Sequence, residues 1–413
     1  MFRPLITFLS ILIISCANVS LAENWPQFRG PGGQGISQQK NLPITWSDTE
    51  NVAWKTVLPG YGVSSPIALD GKLYLTCYSG YGIPDKSDAI EDLQLHVVCI
   101  NPKNGHIVWD KEVKPTLPES KKVRDHGYAA PTPTTDGKHL YVFFGKSGVF
   151  KFDLDGNQLW QTSVGTKTHS WGSGTSPILY KDLVIVNASV ESGSLVAINK
   201  DSGKETWRTE GMKASWNTPH LVEVSKDKHE LTVSIKGFVL GFDPTTGKEL
   251  WRCEGIPDYI CPSIVSQDGI VYAIGGRSSK TLAIKCGGRG DVTLTHKLWQ
   301  ADVGANVSSP IIHDGHLYWV SDRNKTAYCL SLTDGSIKYE EKVDKQPYAS
   351  ALLADNRIYI VTRFNGTLVL AAQPEFKQLA HNKLNDTSAF NPSPIVCNNA
   401  LILRSDENLY CIK

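Results

Sequence analysis

The sequence predicts an all-β chain, folded as an eight-bladed β-propeller of four-stranded antiparallel blades. A turn phrase ending in tryptophan recurs about every 40–50 residues, the period of a propeller or solenoid repeat. Between its copies lie short alternating strands separated by Gly turns. A proline that opens each unit recurs often enough to count eight of them.

The phrase runs from Asn101 to Trp109, Asp153 to Trp160, Asn199 to Trp207 and Asp243 to Trp251, and more loosely up to Trp299 and Tyr339. The first full unit sets the pattern. Ser65 to Leu69 reads as a short strand, Asp70-Gly71 as a tight turn, and Leu73 to Cys77 as a second strand. Ser79 to Gln94 inserts a polar loop, suited to a lid, a partner contact or a plain surface excursion. Leu95 to Ile100 is a third strand, and His106 to Val113 a fourth that carries Trp109. One large aromatic at a fixed place in each outer strand is explained by packing between neighbouring blades.

The unit-opening residue reads as Pro66, Pro131, Pro177, Pro219, Pro262, Pro310 and Pro394, with Ala351 in the seventh unit. Proline at the first residue of a strand forfeits no ladder bond. The eighth unit supplies three strands, at Pro394 to Cys397, Leu401 to Arg404 and Leu409 to Ile412. Asn51 to Leu58, around Trp54, reads as an outer strand without partners. Pairing it with the C-terminal unit closes the ring and removes the free edges. Irregular first and seventh units leave seven blades as the alternative.

Three segments follow: 1–22 as a signal peptide, 23–50 as an N-terminal leader and 51–413 as one propeller. Arg3 followed by the apolar run Leu5 to Ile14 has the form of an export signal, too short to span a bilayer. Ser20-Leu-Ala22 fits a cleavage site that leaves Glu23 first. Ile13-Ile-Ser-Cys16 fits a lipobox that would leave a lipid anchor on Cys16. Apolar residues make up 41% and the formal charge is +1, neutral without Arg3. No basic stripe marks a nucleic-acid partner, and no other run is long enough to span a membrane.

An exported chain permits disulfides. Cys77–Cys99 and Cys253–Cys261 are the candidate pairs. The competing reading is packing, because Cys99, Cys329 and Cys411 share a repeat position with Ala197, Gly241 and Ala283, where a small residue is required. No cysteine or histidine cluster has metal-binding spacing.

The stretch from Val239 to Trp251, and its looser copies across nearly the whole mature chain, resembles the pyrroloquinoline-quinone (PQQ)-type propeller repeat. Trp25 to Ser37 resembles the leader of exported bacterial members. That superfamily holds quinone-dependent alcohol and sugar dehydrogenases and non-catalytic propellers of the BamB type. The dehydrogenases are longer, and many carry adjacent cysteines over the cofactor and a calcium triad. No two cysteines are adjacent here and no triad aligns, so the resemblance is nearer to the BamB type.

In such a ring the unit-to-unit connections converge on one mouth of the central channel. Theirs carry Tyr61, His126, Tyr128, His169, Trp171, Trp216, Asn217, His220, Tyr259, Asn306, Tyr348 and Asn391. Aromatic and amide groups gathered there suit a ligand site, or a plug packed on itself. Asp125-His126 is the best general-base candidate by composition. Gly30 to Gly35 satisfies a dinucleotide-loop pattern but lacks the strand and helix that such a loop needs. The expectation is an exported, periplasmic or extracellular module that binds a protein partner or small ligand, without catalytic residues, metal or cofactor. The alternative is a PQQ- and calcium-dependent dehydrogenase.

Overall fold

The computed structural model describes residues 23–84 and 86–413, so the signal-peptide and Cys16 readings lie outside the described residues. Eight small sheets form the ring, and among the described residues the only α-helix is the single turn Thr293–His296. Blade 1 illustrates the meander: Ile67–Leu69, Lys72–Ser79, Gln94–Ile100 and Ile107–Val113, all antiparallel. The ring closes where Val52–Val57 pairs with Asn408–Ile412, placing Trp54 opposite Cys411. Eight blades, not seven, are present. None of the described helices is long and apolar enough to cross a membrane.

A closed circle of hydrogen bonds sets the blade register. The backbone N–H of Ser65 donates to Thr132, Thr132 to Ser176, Ser176 to Thr218 and Thr218 to Ser263. Ser263 then donates to Ser309, Ser309 to Ser350, Ser350 to Ser393, and Ser393 back to Ser65. Every acceptor is a side-chain hydroxyl, at 2.9–3.2 Å. In each blade this residue stands two positions before the innermost strand, as Ser65 does before Ile67 and Ser393 before Ile395. The residue after it is therefore the repeat equivalent. That corrects two of the unit-opening prolines: the matching positions are Pro133 and Ile264, not Pro131 and Pro262.

The Gly…Trp phrase is an inter-blade latch. Trp54 Nε1 donates to Pro102 O at 2.8 Å, Trp109 to Leu154 O, Trp160 to Lys200 O, Trp207 to Pro244 O and Trp299 to Leu332 O, each in the next blade. The turn glycine of that next blade lies under the indole: a Cβ on Gly105 would come within 2.7 Å of Trp54. Within its own sheet Trp54 faces Cys411, Trp109 faces Cys99, Trp207 faces Ala197 and Trp299 faces Ala283, with Gly241 and Cys329 in the same place opposite Trp251 and Tyr339, whereas Trp160 faces Lys151. Trp251 departs from the rule. Its indole donates to the buried Glu230 at 2.7 Å, and Arg289 neutralises that carboxylate at 2.9 Å.

All eight described cysteines carry free thiols, so neither expected disulfide forms. Cys77 and Cys99 point to opposite faces of blade 1, one toward blade 8 and the other toward blade 2. Cys253 sits in an outer strand, whereas Cys261 lines the central channel.

The leader threads across the face of the Asp-Gly turns. Trp25 pairs with Ala68 of blade 1, Pro26 O accepts from Thr135 of blade 2, and Gln34 bonds Ser266 of blade 5. Ile36–Ser37 then adds a parallel strand to the channel side of blade 7. Gly30 makes this path possible, since at φ +71° a Cβ there would strike the buried Trp25 ring. Phe28 reaches the channel axis and floors it.

Candidate functional site

At the other face the channel is crossed by residues 114–128, which link blade 1 to blade 2. This strap is pinned on several sides. Arg363 of blade 7 donates to Asp125 Oδ1 at 2.5 Å, and Tyr348 OH lies 2.9 Å from His126 Nε2. Asn391 of blade 8 donates to Asp125 O at 3.3 Å, and Arg124 N donates to Ser170 O. Tyr81, from the polar insertion, packs 6.1 Å from Tyr128 and bonds Lys121 O, so the insertion buttresses the strap.

Beside the strap lies a mouth cavity of about 210 Å³. His126, Trp171, Tyr259, Asn306 and Tyr348 line it together. Below it a smaller axial cavity of about 80 Å³ is bounded by the hydroxyl circle, with Trp216 and Asn391 in its wall. The remaining expected residues go elsewhere. Tyr61 bonds Glu407, and Tyr128 bonds Ser120 O. His169 packs against Trp171 and Trp216 with its Nδ1 accepting from Trp171 N. Asn217 is wholly buried and donates to Ser234 O, a structural role. His220 is not at the mouth at all: it opens an innermost strand two residues past Thr218, which carries it to the leader face.

Arg124, Arg277, Asp322, Gln346, Arg363 and Cys261 also line the mouth. The arginines had a signal. Arg277, Arg323 and Arg363 each follow the second strand of blades 5, 6 and 7 by one or two residues, in loops that face the mouth. Arg277 lies over the Tyr259 ring at 5.2 Å and Arg363 over Tyr348 at 5.1 Å, a cation–π arrangement.

The polar groups are largely committed to one another. Burial raises the Asp125 pKa, but the hydrogen bond and charge of Arg363 outweigh that and hold it below the usual carboxylate range. Burial lowers His126 to about 4, so its imidazole is neutral at pH 7. Tyr259 OH donates to Asn306 Oδ1 at 2.6 Å. Asp322 accepts the N–H groups of Asn306 and Val307, and burial still raises its pKa. A quinone–calcium pair needs several oxygens converging on the ion. Among the described residues no group of three or more His, Cys, Asp or Glu is placed to hold a metal, and the mouth carboxylates are already engaged. The residues present do not fit that pair.

Comparison with known proteins places this geometry in context. The family described as "Outer membrane protein assembly factor BamB" matches residues 84–219, 191–273 and 236–409. The chain is 22% identical over 293 residues to the outer membrane protein assembly factor BamB of Yersinia pestis, covering 66% of this chain and 68% of that one. It is 25% identical over 241 residues to the quinoprotein alcohol dehydrogenase PedE of Pseudomonas putida, covering 55% of this chain but only 34% of the enzyme. The crystal structure of BamB from Moraxella catarrhalis superposes with a TM-score of 0.62 at 13% identity, over 87% of this chain and 96% of that one. At that identity the superposition speaks to the fold. The family match extends over most of the propeller, and the chain belongs to the PQQ-type repeat family described as outer membrane protein assembly factor BamB.

Proposed function

We propose that this protein is an exported, non-catalytic docking module that receives a protein partner at the strap-covered face. One observation carries the reading: the mouth's carboxylates and its imidazole are spent on holding the strap and their neighbours. Asp125 holds Arg363, His126 meets Tyr348, and Asp322 holds two backbone N–H groups, so among the described residues no acid–base pair of the mouth stands free toward a substrate. What the rim offers instead is Arg277 stacked on Tyr259, and Phe364, 63% exposed. Arginine and aromatic groups on a rigid ring are the usual anchors of protein recognition. The assembly role named for the BamB relatives agrees with this use of the ring, and export agrees with the N-terminal signal pattern.

The competing reading, a quinone-linked dehydrogenase, draws on the partial likeness to PedE. Incubating the purified protein with PQQ and calcium chloride, then following quinone absorbance and dye reduction with alcohols and sugars, separates the two. The docking reading expects neither stoichiometric quinone uptake nor turnover. Substrate-dependent dye reduction overturns it.

A further inference from the structure

On the leader face, independent of the mouth, a second cavity of about 240 Å³ lies between the Gly-rich leader turn and the inner strands of blades 3 to 5. Its walls are apolar where Leu179, Leu221 and Ile264 meet Phe28. Its polar end is unusual. Gly33 has φ +70° and no side chain, and the place where its Cβ would stand is 3.7 Å from both Gln27 Nε2 and His220 Nδ1. Both nitrogens therefore border the space left open by the missing side chain.

The roles of these nitrogens can be worked out. His220 is 5% exposed, with Nε2 2.8 Å from Ser266 Oγ and no protein partner at Nδ1 among the described residues. Gln34 Nε2 lies 3.4 Å from Ser266 Oγ as a donor, and the serine hydroxyl can in turn donate its proton to His220 Nε2. A neutral imidazole that accepts at Nε2 carries its proton on Nδ1. The Gln27 amide nitrogen is a donor as well. Close by, Arg29 is 2% exposed, and its guanidinium donates only to the carbonyls of Gln34 and Pro310. No carboxylate lies within ion-pair distance of it among the described residues, and Nε and Nη1 have no partner. A buried cation without a counter-charge is costly. Its field reaches His220, where burial and then Arg29 disfavour the imidazolium.

We infer that this leader-face cavity binds a small carboxylate with an apolar tail, the carboxylate accepting from His220 Nδ1–H and Gln27 Nε2–H beside Gly33. Donors converge on the head position, the nearby charge is positive, and the walls beyond are aliphatic. A neutral alcohol of the same length lacks the charge that Arg29 favours, and an amine has the wrong sign.

Octanoate is the probe, with octanol and octylamine as controls, titrated by calorimetry into the purified full-length chain. Octanoate should bind at least tenfold more tightly than either control. Leu179→Trp, which fills the cavity without touching a polar group, should abolish binding while leaving the thermal midpoint within a few degrees. His220→Leu should weaken it about tenfold, and His220→Asn, which can restore an N–H near the Nδ1 position, should recover most of the loss. Equal affinity for octanol, or octanoate binding unchanged in folded Leu179→Trp, overturns the inference.

Discussion

Glu191→Gln should stabilise the protein above neutral pH and flatten its pH dependence. Glu191 is 1% exposed; Oε1 accepts from the Ser173 hydroxyl and Oε2 has no partner. Burial raises its pKa from 4.5 to about 7, with Glu119 nearby adding repulsion. The folded protein therefore holds the proton that the unfolded chain releases first. Between those two values the native state binds more protons, so stability falls as pH rises, and it levels off above the folded pKa. At about 1.4 kcal/mol per pH unit, the loss is roughly 3 kcal/mol between pH 4.5 and 7. Glutamine keeps the shape and a group that can meet Ser173, yet carries no titrating proton. Urea denaturation at pH 5, 6, 7 and 8 should show the wild type losing stability across that window. The variant should lose much less, and it should exceed the wild type by about 2 kcal/mol at pH 8. Parallel pH curves for the two proteins would refute the reasoning, because some other group would then own the slope.

Three further outcomes are expected. Trp54→Phe should cost about 1 kcal/mol through loss of the bond to Pro102 O, and Trp54→Ala about 3 kcal/mol, whereas Val57→Ala, 71% exposed on the same strand, should stay near neutral in denaturation midpoints. Arg363→Ala frees Asp125 and should speed limited proteolysis within residues 114–128 several-fold, read by mass spectrometry of the fragments, with little change in global unfolding. Thiol titration should find the eight cysteines from Cys77 to Cys411 unreactive or slow in the native protein, Cys261 reacting first, and all eight free in denaturant without reductant.

Blade number and closure could be read because both rest on local chemistry repeated eight times. A Gly under the preceding blade's Trp, a short strand and a final unit lacking its outer strand each leave a mark within ten or so residues. The hydroxyl circle left one too, as Ser or Thr before Pro at Ser65, Thr132, Ser176, Thr218, Ser309 and Ser393. Proline is the more conspicuous residue of that pair, and Pro131 and Pro262, each two positions before the true equivalent, shift the frame in two blades. That same frame matters for His220, since two residues are enough to carry a side chain from the mouth to the opposite face. The strap had no local signature. Asp125 and Arg363 are 238 positions apart, and only the closed ring brings them together. Arg277 and Arg363 lie in the loops after second strands, so the unit-to-unit connections alone do not reveal them.

The most direct test of the docking account places a photo-crosslinking residue at Phe364 on the mouth rim and, separately, at Leu294 on the outer edge, 99% exposed. In the intact cell envelope the Phe364 probe should give a discrete protein adduct that Arg277→Glu diminishes, and the Leu294 probe should give none. Equal labelling from Leu294, or a Phe364 adduct indifferent to Arg277→Glu, would contradict a partner site at the mouth.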